Sequence, residues 1–197
     1  MTMHALITGC SHTAGIAIAA NDCYVSVLDR HYKFPIINHG VPGGSCNDVL
    51  MKIVNEITHS SRPEFIVAQW PNPFRKTCWI NGVVHLQNIN SCDESFNLLL
   101  KNGDANFYEP WMQAIIIANL LCKIAKIPLY NILLENINPQ YLARLEKENI
   151  VLHVDEKLPG LTWLFDSSAT DKSHHSAICH KQWAERLVGI IDEHTTS

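Results

Sequence analysis

ALITGCSHTAG, residues 5–15, is an apolar run that ends at a glycine and is followed at once by a serine and a histidine. His4–Thr8 is typical of a short buried strand, and the small residues from Thr13 to about Ala20 predict a helix. Ser11 therefore stands on the bend between the first strand and the first helix. Because a serine on such a bend exposes its hydroxyl at the edge of a sheet, this stretch bears on both fold and function.

The alternation of strand and helix continues along the chain. Further strands are predicted at Pro35–Gly40, Phe65–Trp70, Leu129–Glu135 and Ile150–Val154. Helices are predicted at Asp22–Tyr32, from Ser45 to about Ile57, from about Glu109 to Lys126 and from about Ser176 to Asp192. Since apolar strands separated by helices form a parallel sheet covered on both faces, we predict an α/β fold. Its five parallel strands would take the order 2-1-3-4-5, with right-handed crossovers.

Residues 77–103 depart from this alternation. TCWINGVVHLQNI, residues 77–89, contains Asn81-Gly82, a dipeptide typical of the two-residue turn of a β-hairpin. We interpret this segment as a hairpin-like insertion after the third strand. No repeat, linker or low-complexity stretch indicates a second unit, so residues 1–197 are predicted to form one domain.

The composition is that of an ordinary soluble globular protein. Of the 197 residues, 47% are hydrophobic, and the net charge is −4 at pH 7. The sequence has no run of Lys and Arg residues, so it does not indicate binding to nucleic acid. The longest apolar run, AIIIANLLC at residues 114–122, is too short to span a bilayer and predicts a buried helix. The short first strand does not resemble a signal peptide, so we predict a cytoplasmic location.

The seven cysteines show no spacing typical of a metal site or a disulfide framework. Scattered reduced thiols are therefore predicted. His174, His175 and His180, close to Cys179, raise the question of a metal site, but no fourth ligand stands in register with them. We predict neither a metal nor a cofactor.

In a parallel sheet of this kind, the functional site lies beyond the carboxyl ends of the strands. Three polar segments would open onto that edge: Ser11 after strand one, GVPGGS (residues 40–45) after strand two and WPNPFR (residues 70–75) after strand three. DKSHHS, residues 171–176, stands just before the last helix and can turn back to the same edge.

These segments carry the residue types of a serine nucleophile and its supporting groups. His174 can accept the proton of Ser11, and Asp171 can orient the imidazole and stabilise its charged form. Backbone N–H groups at Ser11 and in the glycine loop, with the amide of Asn72, can hold a developing oxyanion. The alternative is structural: Ser11 would serve only as a helix N-cap, and the glycines only as a tight turn.

GCS after strand one, the Gly and Asn loops after strands two and three, and a final D-x-x-H together resemble the sequence blocks of the SGNH, or GDSL-like, hydrolases. These are esterases, lipases, deacetylases and acyltransferases with a flavodoxin-like three-layer α/β/α fold. The resemblance covers nearly the whole chain. It implies Ser11 as the nucleophile and completes the triad with Asp171 and His174.

The resemblance also implies the oxyanion hole. Gly43 compares best with the family's glycine block, because Gly-x-Ser leads into a helix, and Gly44 is a close alternative. In the third block the family usually has Gly-x-Asn-Asp, whereas this chain has WPNP, which leaves Asn72 as the donor.

The departures from the family pattern add further candidates. Cys10 stands where the family usually has Asp, and Arg75, just after the third block, becomes a candidate to bind an anionic or carbonyl oxygen of the substrate. His12 and His39 either line the site or lie on the solvated surface. The predicted activity is cleavage of a small acyl ester, such as an acetyl ester, through an acyl-enzyme. An acyltransferase with the same triad and a catalytically silent binding module on the same fold are the alternatives.

Overall fold

The centre of the molecule is a parallel β-sheet. The computed structural model describes residues 3–59, 62–80, 83–88, 105–133, 139–150, 152–154, 174 and 176–195. In chain order its elements are β1 (Ala5–Gly9), α1 (Ser11–Ala14), α2 (Tyr24–His31), β2 (Ile36–Gly40), α3 (Cys46–His59), β3 (Ile66–Trp70), β4 (Arg75–Ile80), β5 (Val83–Asn88), α4 (Ala105–Ala125), β6 (Leu129–Leu133), α5 (Pro139–Lys147), β7 (Leu152–Val154) and α6 (Ala177–Thr195). The strands of the sheet lie in the order β2-β1-β3-β6-β7, and each neighbouring pair is parallel. The predicted α/β class is confirmed.

Helices cover both faces of this sheet, because successive side chains of each buried strand point to opposite faces. On one face, α3, α4 and α5 pack over a core that includes Leu6, Ile53, Ile66, Trp111 and Leu145. On the other face, α2 and α6 pack over a core that includes Ala5, Ile7, Leu28, Val67 and Leu187. The carboxyl ends of β1, β2 and β3 therefore meet at one edge, where the polar segments of the sequence follow them.

The first helix is much shorter than the sequence predicts. α1 ends at Ala14, because Gly15 adopts the left-handed conformation with φ 73°. Ala17 also has a positive φ, so the chain cannot continue as a helix toward Ala20. The predicted helix from Thr13 to about Ala20 is therefore wrong in its extent, and it begins at Ser11 itself.

α5 is a helix that the sequence analysis does not predict. It spans nine residues, and two of them, Tyr141 and Leu145, are buried one turn apart. Tyr141 stacks on Tyr108 of α4 with ring centroids 4.1 Å apart. Because so short a helix has little stability of its own, packing against α4 stabilises it more than its local sequence does.

Two antiparallel strands, β4 and β5, lie in the first part of the segment that the sequence analysis interprets as an insertion. β4 and β5 pair in antiparallel fashion, with Ile80 opposite Val83, which leaves two residues for the connection. Those two residues, Asn81 and Gly82, and residues 89–104 lie outside the described ranges. The hairpin begins at Arg75, two residues before the predicted boundary.

The apolar run at residues 114–122 lies in α4, but the predicted burial holds for one side only, since Ile117 and Leu120 are exposed. Trp111 and Ile115 of this helix are fully buried against the sheet. Among the helices that the structure describes, none combines the length and the hydropathy needed to cross a bilayer.

Substitution of glycine by alanine is expected to change the free energy of unfolding in opposite directions at two positions of this fold. A Cβ on Gly40 would lie 2.6 Å from the carbonyl carbon of Thr13 and closer still to the backbone nitrogen of Ala14, so α1 and β2 would have to separate. A Cβ on the exposed Gly189 of α6 would meet nothing within 4 Å. We expect Gly40→Ala to lower the free energy of unfolding by roughly 1–3 kcal/mol. Gly189→Ala should raise it by roughly 0.5–1 kcal/mol, because alanine favours the helix.

Urea denaturation of the two variants and the wild-type protein measures both effects. A Gly40→Ala protein as stable as the wild type would contradict the close approach of α1 to β2.

Candidate active site

Ser11 is the first residue of α1, at the carboxyl end of β1. Cys10 before it is extended and forms the N-cap, without a side-chain capping bond. The Ser11 hydroxyl contacts the sulfur of Cys10, with Oγ and Sγ 3.9 Å apart, and so it caps nothing. Ser11 is buried, at 6% exposure, in contrast to the exposed hydroxyl that the sequence predicts. The structural interpretation of Ser11 as an N-cap is therefore wrong.

The end of β2 and the loop after it contact the turn that contains Ser11. Val41 donates its N–H to the carbonyl of Gly9, at 2.9 Å. Asn38 donates its side-chain amide to the carbonyl of Thr13, also at 2.9 Å. Two of the predicted segments, the Ser11 turn and the glycine loop, are thus brought together.

Within the glycine loop, Gly43 and Gly44 differ in what their N–H groups do. Gly44 donates its N–H to the carbonyl of Val41, at 2.8 Å. Pro42 and Gly43 are the two central residues of this turn, and Gly43 has φ 73°. Proline followed by a residue with positive φ is the pattern of a type II turn, in which glycine is favoured at the second position. The N–H of Gly44 is therefore used within the loop.

The loop after β3 is held by side chains of the core. Trp111 of α4 donates its indole N–H to the carbonyl of Pro71, at 3.0 Å. Trp70, just before it, donates its indole N–H to Oδ1 of Asn131 on β6, at 2.9 Å. Trp70 is consequently a core residue, and Pro71 has a fixed position.

Asn72 is oriented by its own loop. Its Oδ1 accepts the N–H of Phe74 at 2.9 Å, and its carbonyl accepts the N–H of Arg75 at 3.0 Å. Because the oxygen end of the side-chain amide is held in this way, its NH₂ end is directed elsewhere. Among the described residues, Nη1 of Arg75 is buried without a hydrogen-bond partner.

His174 lies beside the Ser11 turn. Its ring contacts the ring of His12 edge to face, with centroids 5.2 Å apart and an interplanar angle of 62°. His12 is buried, which decides between the two positions that the sequence left open for it. His39 is half-buried, and burial lowers its pKa, with a smaller effect of Lys52 in the same direction. Asp171 and His175 lie outside the described residues.

Comparison with known proteins supports a fold assignment. No protein-family model and no curated protein sequence matches this chain. Its structure is similar to a lipolytic protein of the G-D-S-L family from Veillonella parvula DSM 2008, with 15% identity, a TM-score of 0.57 and coverage of 95% of this chain and 97% of that one. The esterase EstA from Pseudoalteromonas sp. has 13% identity, a TM-score of 0.61 and coverage of 98% and 99%. The acetyl xylan esterase AlAXEase has 10% identity, a TM-score of 0.58 and coverage of 95% and 99%.

The chain has an α/β fold similar to that of these lipolytic and esterase structures. The fold class that the sequence resemblance implies is therefore confirmed at the level of an α/β fold like that of the SGNH esterases. At these identities the likeness concerns the fold alone.

His180 is the third histidine of the metal site considered in the sequence. It is fully buried on α6, where its Nδ1 accepts the backbone N–H of Tyr24, at 3.2 Å. Its ring also packs against Tyr24 and Trp183. Within the described part of the chain, no three His, Cys, Asp or Glu side chains are grouped so that they can hold a metal ion. Cys10, Cys23 and Cys122 are buried free thiols.

Gln69 is a residue at this edge that the sequence analysis does not single out. Its Oε1 accepts the backbone N–H of Cys10, at 2.9 Å, and the hydroxyl of Thr13, at 3.2 Å. It is buried on β3, a strand that is otherwise apolar up to Trp70. The sequence signal that identifies Gln69 is a single polar side chain near the carboxyl end of an apolar strand. A buried amide at such a position needs hydrogen-bond partners.

Proposed function

We propose that this protein is a serine hydrolase that cleaves small acyl esters, with Ser11 as the nucleophile and His174 as the general base. The observation that carries the proposal is the contact between the rings of His12 and His174, because it brings the end of the chain to the Ser11 turn. Asp171 is the proposed partner of the imidazole. The similarity in fold to three lipolytic or esterase structures supports the same chemistry.

The first step is attack by the Ser11 oxygen. In the resting structure its hydroxyl contacts a sulfur, which is a weak acceptor, so a rotation of the side chain exchanges that contact for the imidazole of His174. His174 takes the proton as the oxygen bonds to the ester carbonyl carbon. It then returns the proton to the leaving alcohol, and an acyl-enzyme remains. Water then attacks the acyl carbon as His174 takes its proton. The bond from that carbon to the Ser11 oxygen breaks, and His174 returns the proton to this oxygen as the acid leaves.

The developing oxyanion would be held by three donors: the N–H of Ser11, the N–H of Gly43 and the amide of Asn72. Gly43 is preferred over Gly44, because the N–H of Gly44 is bonded to Val41 within the turn. The held oxygen of Asn72 supports its NH₂ group as the donor. We further propose that Arg75 binds a carbonyl or anionic oxygen of the substrate, which would satisfy its buried Nη1.

The donor role of Asn72 is tested by two substitutions at one position. Asn72→Ala should lower kcat roughly 100-fold or more, as the removal of one oxyanion donor does. Asn72→Asp keeps an oxygen that can accept the N–H of Phe74 but removes the NH₂ group, so it should be as inactive as Asn72→Ala. If Asn72→Asp were fully active, the residue would serve only to shape its loop. Melting temperatures of both variants show whether folding is intact.

The activity itself is tested with a series of p-nitrophenyl esters of increasing acyl length, together with a fluorophosphonate probe. EstA was solved as a form inhibited by monoethylphosphonate, which supports the choice of a phosphorus-based probe. We expect hydrolysis of the shortest esters and probe mass on the peptide that contains Ser11. If neither hydrolysis nor labelling is observed, the interpretation that remains is a catalytically silent binding module. Transfer of the acyl group to an added alcohol or amine, in preference to water, would make the protein an acyltransferase.

A further inference from the structure

Thr13, two residues after Ser11, lies at the centre of a buried polar network. Its hydroxyl donates to Oε1 of Gln69 at 3.2 Å and lies 2.9 Å from the hydroxyl of Tyr24. Its backbone carbonyl accepts the amide of Asn38, at 2.9 Å. Thr13 and Tyr24 are fully buried, and Gln69 nearly so. Three elements outside α1, namely β2, β3 and α2, therefore hold this one residue.

The hydrogen bonds of the network run in one direction. Since the single proton of the Thr13 hydroxyl goes to Gln69, the Thr13 oxygen must accept the proton of the Tyr24 hydroxyl. Burial raises the pKa of Tyr24, so this phenol stays protonated and remains a donor at neutral pH. Gln69 receives at the same oxygen the backbone N–H of Cys10, the residue directly before Ser11. These side chains thus hold the residues on both sides of Ser11 in place.

The network continues to the helix that follows His174. Tyr24 donates its backbone N–H to Nδ1 of His180, at 3.2 Å, and the two rings stack with centroids 5.8 Å apart. The acceptor nitrogen of His180 carries no proton, so the bond requires the neutral imidazole. One chain of contacts therefore runs from the Ser11 turn to the start of α6, which begins three residues after His174.

We propose that Gln69, Thr13 and Tyr24 are positioning residues that set the Ser11 oxygen relative to His174. This inference rests on the proposed role of Ser11 as nucleophile. α1 has only four residues and cannot fix its own position, so its place depends on these neighbours. A reacting atom that is displaced by about 1 Å reacts on the order of 100-fold more slowly.

The variants Thr13→Val and Tyr24→Phe test the proposal. Each removes one hydroxyl at nearly constant volume. The rate at which the fluorophosphonate labels Ser11 should fall roughly 10- to 100-fold, and for ester hydrolysis kcat should fall while KM changes little. Thr13→Ser keeps the hydroxyl and should restore most of the rate. Amide hydrogen exchange of residues 10–16 should become faster in Thr13→Val, and this readout does not depend on catalysis.

Tyr32→Phe is the matched control. Tyr32, just after α2, donates its hydroxyl to Asp192 of α6 at 3.1 Å, so it too joins these regions, but it has no contact with α1 among its described hydrogen bonds. Its labelling rate should equal that of the wild type. If Thr13→Val and Tyr24→Phe also label at the wild-type rate, or if Tyr32→Phe slows as much as they do, the positioning role is overturned while Ser11 remains the nucleophile. If the wild-type protein itself is not labelled, the proposed function fails and the inference with it.

Discussion

Ser11→Ala is expected to abolish ester hydrolysis and labelling by the fluorophosphonate, with a fall in kcat on the order of 10⁶-fold. The acyl-enzyme cannot form without the serine oxygen. Folding should be unaffected, because the lost hydroxyl makes only a 3.9 Å contact with the sulfur of Cys10. Steady-state hydrolysis of a p-nitrophenyl ester, with a melting curve on the same preparation, measures both expectations.

The neighbouring thiol provides the control for this experiment. Cys10 lies next to Ser11 and is itself a potential nucleophile, so Cys10→Ala must be assayed in parallel. Its activity should stay close to that of the wild type. A Ser11→Ala protein with full activity, together with an inactive Cys10→Ala protein, would assign the reaction to the thiol and end the proposal for Ser11.

His174→Ala is expected to reduce kcat nearly as much as Ser11→Ala, because nucleophile and base act as a unit. Asp171→Ala should cost less, on the order of 10⁴-fold, since an imidazole without its orienting partner still accepts protons. Hydrolysis rates for the three variants on one ester test this order of effects.

His175→Ala is the matched control, since it removes the adjacent imidazole of the same HH pair. It should retain nearly all activity. A severe loss at His175 with none at His174 would move the base by one position. Equal, mild losses at both would mean that neither imidazole is the base.

The strands of the parallel sheet could be predicted from the sequence, because each is a short apolar run. Such a run is recognised from neighbouring residues alone. The errors lie where local pattern and tertiary packing disagree. α1 ends about six residues early because Gly15 takes a positive φ beside Cys23. α5 was missed because its stability comes from contacts such as Tyr141 on Tyr108.

For the candidate site, the sequence placed Ser11, the glycine loop and the Asn72 loop at one edge, since parallel strands end together. The sequence left open which of two adjacent residues of the same type takes a given role. The turn that uses the N–H of Gly44, rather than that of Gly43, is a feature of folded backbone. The burial of His12 against His174 likewise joins the two ends of the chain.

The sequence by itself thus determined the α/β architecture and the edge at which the candidate site lies, because hydrophobic period is a local property and parallel strands end at the same edge. Only the tertiary structure decided which polar groups meet there. Gln69 bonds to Cys10, Asn38 bonds to Thr13, and His180, a possible metal ligand in the sequence, accepts the N–H of Tyr24. The physical reason is that a buried donor or acceptor must find a partner, and here each partner is brought from a distant part of the chain.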